Sequence, residues 1–285
     1  MEESEGEPAM IPFDFEYYRP DTINSAVQTF IALDQQGKDP RYYGGGTEII
    51  SMGRMANLST GAVIDIKNIP ECRILEIKND CLLIGAGVTL TQIHESGFFP
   101  LLGCAGARVA DRTIQNKITL GGNLCGTIIY REAALPLLLA DSEVITIGPQ
   151  GIKIQPINKL FHQKLQLEKG ELVVQIRVSQ PFLSYPHFHI KRTRQDKIHY
   201  PLVTICAMQV AQQIRIAFSG LCDFPFRSLE VEAEINKTSL PVEKRIDKAI
   251  AAIPQPIADN LEGSSGYRKF VLGNLLTNII HTMEE

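Results

Sequence analysis

The sequence predicts an α+β fold built as two domains, the larger one N-terminal. The chain has 285 residues, 44% of them hydrophobic, which is enough to fill one large or two medium-sized cores. Helical and strand patterns alternate with short glycine turns up to about Val178. Residues 181–186 hold two prolines and a tyrosine and precede a second run of strands and helices. We therefore place the domain boundary between residues 180 and 181.

The first elements predicted are a capped helix and then a strand, a glycine turn and a second helix. Residues 1–10 are an acidic leader that we expect to be disordered. Asp21 can cap a helix that ends near Gly37. Its apolar residues recur at helical spacing, namely Ile23, Val27, Phe30 and Ile31. A short strand through Tyr42 and Tyr43 should follow and lead into the glycine turn.

Both domains continue with mixed strand and helix patterns. The turn at 85–87 should lead into a short helix, and a second glycine turn, 119–123, should follow an apolar helix. The remaining predicted strands are 62–66, 74–77, 81–84, 188–192, 202–210 and 214–218, and the remaining predicted helices are 92–96, 100–109 and those beginning near Ser228, Val242 and Gly266.

Composition excludes several classes of function. The net charge is −4 and the basic residues are scattered, so a nucleic-acid partner is not expected. The leader is not a secretory signal, and the longest apolar runs, 133–140 and 201–210, are too short to span a bilayer. We expect a cytoplasmic protein without membrane contact.

Cysteines and histidines suggest no metal centre. The six cysteines contain no CxxC pair and lie outside metal-ligand register with any histidine. We expect them to be reduced thiols, most of them packed in the core. The six histidines occur in no HExxH motif or catalytic-triad context, so we interpret them as ordinary residues.

Two glycine segments are the candidate ligand-binding features. Gly44-Gly45-Gly46-Thr47 leaves four backbone amides with little side-chain cover, so an anion such as a diphosphate can approach the main chain before a helix. Gly121-Gly122-Asn123 offers a similar arrangement, with Thr119 and Asn123 as side-chain donors. A single glycine turn is more often only a turn. Neither segment fits a dinucleotide fingerprint or a P-loop.

The residues 44–49 (GGGTEI) and 118–124 (ITLGGNL) resemble the two FAD-binding motifs of the molybdopterin dehydrogenase FAD-binding family. The resemblance extends to 112–116, 135–144 and 265–268. It implies a PCMH-type, vanillyl-alcohol oxidase-like FAD-binding domain of two α/β subdomains over 11–180. A carbon monoxide dehydrogenase flavoprotein-like domain, α+β with a three-stranded antiparallel sheet and helices, should follow over 181–285.

The same resemblance implies the residues of an FAD site. One side of the diphosphate should be lined by Arg41, Tyr42, Tyr43, Gly44, Gly45, Gly46, Thr47 and Glu48, and the other by Ile118, Thr119, Gly121, Gly122 and Asn123. Lys191 falls where a family lysine lies along the cofactor, and Val109 and Val173 fall at apolar positions near it, although plain core is the commoner role for a valine. Glu132 stands where the family usually has aspartate, which puts that contact in question.

The resemblance also implies a function. Within the family the chain is similar to the FAD-binding medium subunit of bacterial xanthine (purine) dehydrogenases, more than to the carbon monoxide branch. Electrons would pass from a molybdopterin-binding large subunit, through 2Fe–2S clusters on a small subunit, to FAD and then to NAD or another acceptor. No catalytic acid or base is needed on this chain, because flavin supplies the redox chemistry. The alternatives are a stand-alone FAD-dependent oxidoreductase of the same fold and a flavin-free scaffold subunit.

Overall fold

A computed structural model describes residues 11–195, 199–254 and 256–284, so the expected leader, 1–10, lies outside it. The chain begins with a small parallel sheet flanked by helices. Its elements are β1 (Glu16–Tyr18), α1 (Ile23–Gln35), β2 (Arg41–Tyr43), α2 (Thr47–Arg54) and β3 (Ala62–Asp65). The strand order is β1-β3-β2 with all pairs parallel. Parallel strands end at the same edge, so the segments after β2 and β3 are neighbours.

The first helix forms where the sequence predicts it, but with a different cap. The Thr22 hydroxyl, not Asp21, accepts a hydrogen bond from the amide of Ser25 at 3.1 Å. Asp21 instead accepts a hydrogen bond from the Asn68 side chain. Gly37 follows the helix with a φ of 74°, the left-handed conformation in which glycine commonly ends a helix.

A second, larger layer is a five-stranded antiparallel sheet surrounded by short helices. The strand order is β4-β5-β10-β6-β7, and β8 and β9 form a separate small hairpin. The elements are β4 (Leu75–Lys78), β5 (Cys81–Gly85), α3 (Leu90–Ser96), α4 (Pro100–Gly106), α5 (Arg112–Gln115), α6 (Leu120–Cys125), α7 (Ala134–Leu139), β6 (Glu143–Gly148), β7 (Gly151–Pro156), α8 (Ile157–Leu160), β8 (Phe161–His162), β9 (Lys164–Leu165) and β10 (Leu172–Ser179).

The remaining described residues form an antiparallel sheet with helices on one face. The three predicted strands are present, and a two-residue strand extends the sheet to four, in the order β11-β12-β13-β14. Ser228 caps the first of the helices by accepting from the Val231 amide at 3.3 Å. The elements are β11 (His187–Thr193), β12 (Pro201–Val210), β13 (Gln213–Ser219), β14 (Phe226–Arg227), α9 (Leu229–Ile235), α10 (Val242–Ala251) and α11 (Ser265–Glu284).

The buried apolar residues form two clusters that meet at this last sheet. The first cluster contains residues from Ala26 to Leu183 together with Cys206, Met208 and Ala217. The second contains residues from Leu202 onward, including the alternate β12 residues. Successive side chains of a strand point to opposite faces, so one face of the sheet packs against each cluster. The division after residue 180 stays a prediction.

Among the described residues, no helix is long and apolar enough to cross a membrane. No disulfide joins any of the six cysteines in the described part of the chain, and only Cys72, Cys206 and Cys222 are buried. The expectation that most would lie in the core therefore holds for half of them. Over the same part of the chain, no group of three or more potential metal ligands occurs.

Candidate cofactor-binding site

The first glycine segment is a tight bend whose amides are free to bind a ligand. Gly46 has a φ of 72° and stands at the N-cap of α2 without any side-chain cap. The first amide of this helix to donate within the described chain is that of Ile50, to the Gly46 carbonyl at 2.9 Å. The amides of residues 45–49 have no acceptor among the described hydrogen bonds. They form a set of unpaired donors at a helix N-terminus, where an anion is favoured.

The second glycine segment differs from the sequence-based prediction. It is the first turn of α6, capped by the Thr119 hydroxyl, which accepts from the Gly122 amide at 3.1 Å. The Gly121 amide donates to the Ala86 carbonyl at 2.9 Å, and the Asn123 amide to the Thr119 carbonyl at 2.8 Å. These backbone donors are already used, so the expected second set of free amides is wrong. A Cβ on Gly121 would lie 2.7 Å from that of Ala86, which explains this glycine by packing.

The two segments lie directly against each other. A Cβ on Gly44 would lie 2.5 Å from the Thr119 hydroxyl, and one on Gly45 would lie 1.6 Å from the Lys117 carbonyl oxygen. Glu48 reinforces the junction, because its carboxylate accepts from the amide and the hydroxyl of Thr127 at 2.6 and 2.7 Å. The structure therefore brings the two predicted motifs together as one site.

Asn123 has the strongest geometric indication of a ligand in this site. Its side chain is only 7% exposed, and its Oδ1 is buried without a hydrogen-bond partner in the described chain. Buried polar atoms are nearly always paired, so an unpaired one indicates a missing partner. Free backbone amides suit the phosphate oxygens of a cofactor such as FAD, and an unpaired side-chain acceptor suits one of its hydroxyl groups.

Lys67 braces the first glycine segment, and sequence reasoning missed it. Its ammonium donates to the Gly44 carbonyl and to Asp65, both at 2.7 Å, and lies 4.5 Å from the centre of the Tyr43 ring. Asp65 also accepts from Tyr17 at 2.5 Å. Burial opposes ionisation of Asp65, but the bonds from Lys67 and Tyr17 outweigh it and lower its pKa. The available signal was the position of Asp65 at the end of β3 and of Lys67 just after it, beside the end of β2.

Two other residues predicted around the first glycine segment, Arg41 and Tyr42, use their side chains in contacts within the protein. Arg41 is exposed and pairs with Asp39 at 3.1 Å. Tyr42 donates to the Gly170 carbonyl at 3.0 Å and stacks on Phe30, with ring centres 5.1 Å apart. The Tyr42 side chain is therefore engaged within the chain, whereas Arg41 makes only a surface ion pair.

The apolar residues predicted around the cofactor belong largely to the core. Val173 is 3% exposed within β10. Val109 and Ile118 are partly buried and pack against the first apolar cluster. For Val173 the structure gives no contact beyond this core packing.

Glu132 and Lys191 form a buried ion pair that links α7 to the last sheet. The Lys191 ammonium lies 2.8 Å from one carboxylate oxygen, and their side chains are 2% and 3% exposed. The Thr204 hydroxyl donates to the other oxygen at 2.5 Å, and Lys191 also donates to the Arg108 carbonyl at 2.8 Å. Burial raises the pKa of Glu132 despite these donors. The structure thus joins two predicted site residues, but Glu132 uses both oxygens within the chain.

Residues 13–181 match the model of the family described as the FAD binding domain in molybdopterin dehydrogenase. The chain is 26% identical over 272 residues to the xanthine dehydrogenase FAD-binding subunit of Escherichia coli O157:H7, covering 90% of this chain and 89% of that one. It is 25% identical over 285 residues to the carbon monoxide dehydrogenase medium chain of Hydrogenophaga pseudoflava, covering 95% and 98%.

A solved structure of carbon monoxide dehydrogenase from Hydrogenophaga pseudoflava, lacking the Mo-pyranopterin moiety, shares the fold. The TM-score is 0.82 at 22% identity, covering 94% of this chain and 96% of the other. Residues 13–181 are therefore an FAD-binding domain by family. Because the family model covers more than half of the sequence, the chain belongs to the molybdopterin dehydrogenase FAD-binding family.

Proposed function

We propose that this chain is the FAD-carrying, electron-transferring subunit of a multi-subunit molybdenum hydroxylase. One observation carries the proposal: in a member of this family, the segment with the free amides of residues 45–49 packs against the segment that holds Asn123, whose Oδ1 is buried without a partner in the described chain. A diphosphate would satisfy the amides, and a ribityl or ribose hydroxyl could donate to Asn123 Oδ1.

Each part of the site would do a separate task. The first glycine segment would bind the diphosphate through its amides and the Thr47 hydroxyl. Lys67 would hold the Gly44 carbonyl, which fixes the orientation of the peptide that follows because a trans peptide keeps C=O and N–H opposed. Lys191 would lie along the cofactor, with Glu132 holding its ammonium in place rather than touching FAD.

When bound, FAD would supply two-electron and one-electron chemistry, which no side chain can supply. The chain's residues would bind and orient the cofactor, and we assign none of them a catalytic acid or base role.

We further propose that the partners are a molybdopterin-binding large subunit and a 2Fe–2S small subunit. The substrate of the assembly would be a purine such as xanthine, and NAD would accept the electrons. The assembly would lie in the cytoplasm. The relative from Escherichia coli O157:H7 named a xanthine dehydrogenase FAD-binding subunit supports the purine assignment. The similarly distant carbon monoxide dehydrogenase medium chain is the reason to test it against other substrates.

The first experiment is the visible absorption spectrum and FAD content of the purified chain. We expect about one FAD per chain, released on denaturation. Xanthine and NAD are then added with and without candidate large and small subunits. Turnover that requires both partners supports an electron-transfer subunit. Flavin reduced by xanthine without partners would indicate a stand-alone oxidoreductase. A chain that binds no FAD, even when FAD is added, would be a scaffold.

A further inference from the structure

A polar cavity of about 340 Å³ lies beside the Glu132–Lys191 pair, lined chiefly by β11 and by the residue that precedes Val109. Four of its lining side chains are basic: Arg108, His189, Lys191 and Arg192. Among the described residues, no acidic side chain lines it. Its composition contrasts with the apolar interior of both core clusters.

Two nitrogen atoms of this cavity are buried without a partner among the described residues, Arg108 Nε and His189 Nε2. The Arg108 guanidinium is always charged and offers only donors. A buried donor without an acceptor destabilises a protein, and more so when it is charged. Such a group calls for an explanation, and a water, an ion or a ligand from outside the chain is one that fits a polar cavity.

The charge around the cavity is unbalanced. Lys191 is matched by Glu132 at 2.8 Å. Arg108 and Arg192 take part in no described ion pair. Burial, together with Arg108, Lys191 and His187, lowers the pKa of His189 to about 4, so this imidazole is neutral at pH 7. Within the described part of the chain, the lining of the cavity therefore carries more positive than negative charge, which favours an anionic ligand with oxygen or nitrogen acceptors.

We propose that this cavity is an anion-binding site in which Arg108 is the principal ligand and His189 a neutral second one. This inference rests on the proposed function for the source of the anion. Reduced flavin carries negative charge on its pyrimidine edge, and a dinucleotide that takes up the electrons carries it on phosphate. Both offer a hydrogen-bond acceptor to Arg108 Nε, which has none in the described chain.

Arg108→Leu is the decisive variant. Arg177→Leu is the matched control, since Arg177 pairs with Glu143 on the five-stranded sheet and does not line the cavity. Two measurements are made on each: the midpoint potential of bound FAD, and the dissociation constant of inorganic phosphate from FAD-loaded and FAD-free protein.

If the anion is the reduced flavin, Arg108→Leu binds reduced FAD about tenfold less tightly relative to oxidised FAD, and the midpoint potential falls by about 30 mV. Arg108→Lys should restore part of this shift, and His189→Phe should produce a smaller one. If the anion is a phosphate group, the potential stays unchanged and phosphate binding weakens about tenfold. Unchanged potential and unchanged phosphate affinity would overturn the proposal.

Stability separates a ligand role from a structural one. Because Arg108 Nε has no partner in the described chain, Arg108→Leu should leave the melting temperature of the FAD-free protein no lower than that of wild type. A loss clearly exceeding that of Arg177→Leu would show that Arg108 supports the fold and would contradict the proposal. Wild-type protein without FAD would refute the proposed function alone, because phosphate binding to the cavity is still measured.

Discussion

The two glycine segments should respond differently to an added side chain, because position 45 packs against main chain whereas position 122 is exposed. A Cβ at position 45 would meet the Lys117 carbonyl oxygen, whereas one at position 122 would meet only the Thr119 hydroxyl, at 2.9 Å. We expect Gly45→Ala to destabilise the protein even without FAD. Gly122→Ala should leave the FAD-free protein intact, and Gly122→Val should weaken FAD binding.

The size of the first effect follows from the contact. An ordinary carbon contact begins near 3.4 Å, and the Cβ at position 45 would lie at 1.6 Å, so about 1.8 Å of separation is needed. The obstacle is main chain, held by the Lys117 and Ile118 amides donating to the Ile114 carbonyl at 2.8 and 2.9 Å. Overpacking costs about 1–3 kcal/mol, and a backbone obstacle places this case at the upper end. For a chain of this length, about 3 kcal/mol lowers the melting temperature by about 6–10 °C.

A side chain at position 122 should change stability little but reduce FAD affinity. Gly122 lies in the first turn of α6, where alanine gains up to about 1 kcal/mol in helix propensity. A shift of the Thr119 hydroxyl relieves the single close contact, so the net change should stay within about 1 kcal/mol. Valine at this exposed position adds bulk on the side where the cofactor would approach Asn123, and we expect FAD affinity to fall at least tenfold.

Circular dichroism melting of FAD-free protein measures the first quantity, and quenching of FAD fluorescence on titration measures the second. A Gly45→Ala protein as stable as wild type would refute the packing argument. A Gly122→Val protein with wild-type FAD affinity would refute the placement of the cofactor beside α6.

Three further predictions concern the charged groups. Lys67→Met should weaken FAD binding about tenfold, with partial rescue by Lys67→Arg, as measured by the same titration, and it should also lower FAD-free stability because the buried Asp65 loses its counter-ion; equal affinities would show that holding Gly44 is unimportant. Glu132→Ala should cost about 3–5 kcal/mol in urea unfolding, because it leaves Lys191 buried and unpaired, whereas replacing both residues by Met should restore most of the stability; an additive double variant would contradict this. The folded-state pKa of His189 is lowered to about 4, so as the pH falls the unfolded chain binds a proton at this residue before the folded chain does. The free energy of unfolding should therefore fall by up to about 3 kcal/mol between pH 6.5 and 4, and His189→Phe should not show this loss.

Most elements could be predicted from local pattern, because helical spacing and glycine turns are encoded within a few residues. The cap of α1 is Thr22 and not the predicted Asp21, although both residue types are good caps. Asp21 instead accepts a hydrogen bond from Asn68, a contact that is distant in the sequence. The second glycine segment was placed correctly, but its conformation was not. Its amides are satisfied by Ala86 and by Thr119, and contact with Ala86 is not visible in a motif.

The candidate site was predictable where resemblance supplied a motif and not where it depended on tertiary contacts. Lys67, Arg108 and His189 belong to no motif, and their significance lies in atoms brought near them from other elements or left unpaired. Lys67 alone had a usable signal, because ligands of parallel sheets bind at the carboxyl ends of the strands.

The two motifs are therefore not equivalent grips on one ligand, as their similar composition suggests. The first presents unpaired amides, and the second has its amides satisfied and presents the Asn123 side chain. Gly44 and Gly45 are needed for the two to touch, because any side chain there would meet Thr119 or Lys117. Glycine in the first segment thus serves both the ligand and the junction, so loss of FAD after substituting Gly45 would not by itself identify a cofactor contact, whereas loss after substituting Gly122 would.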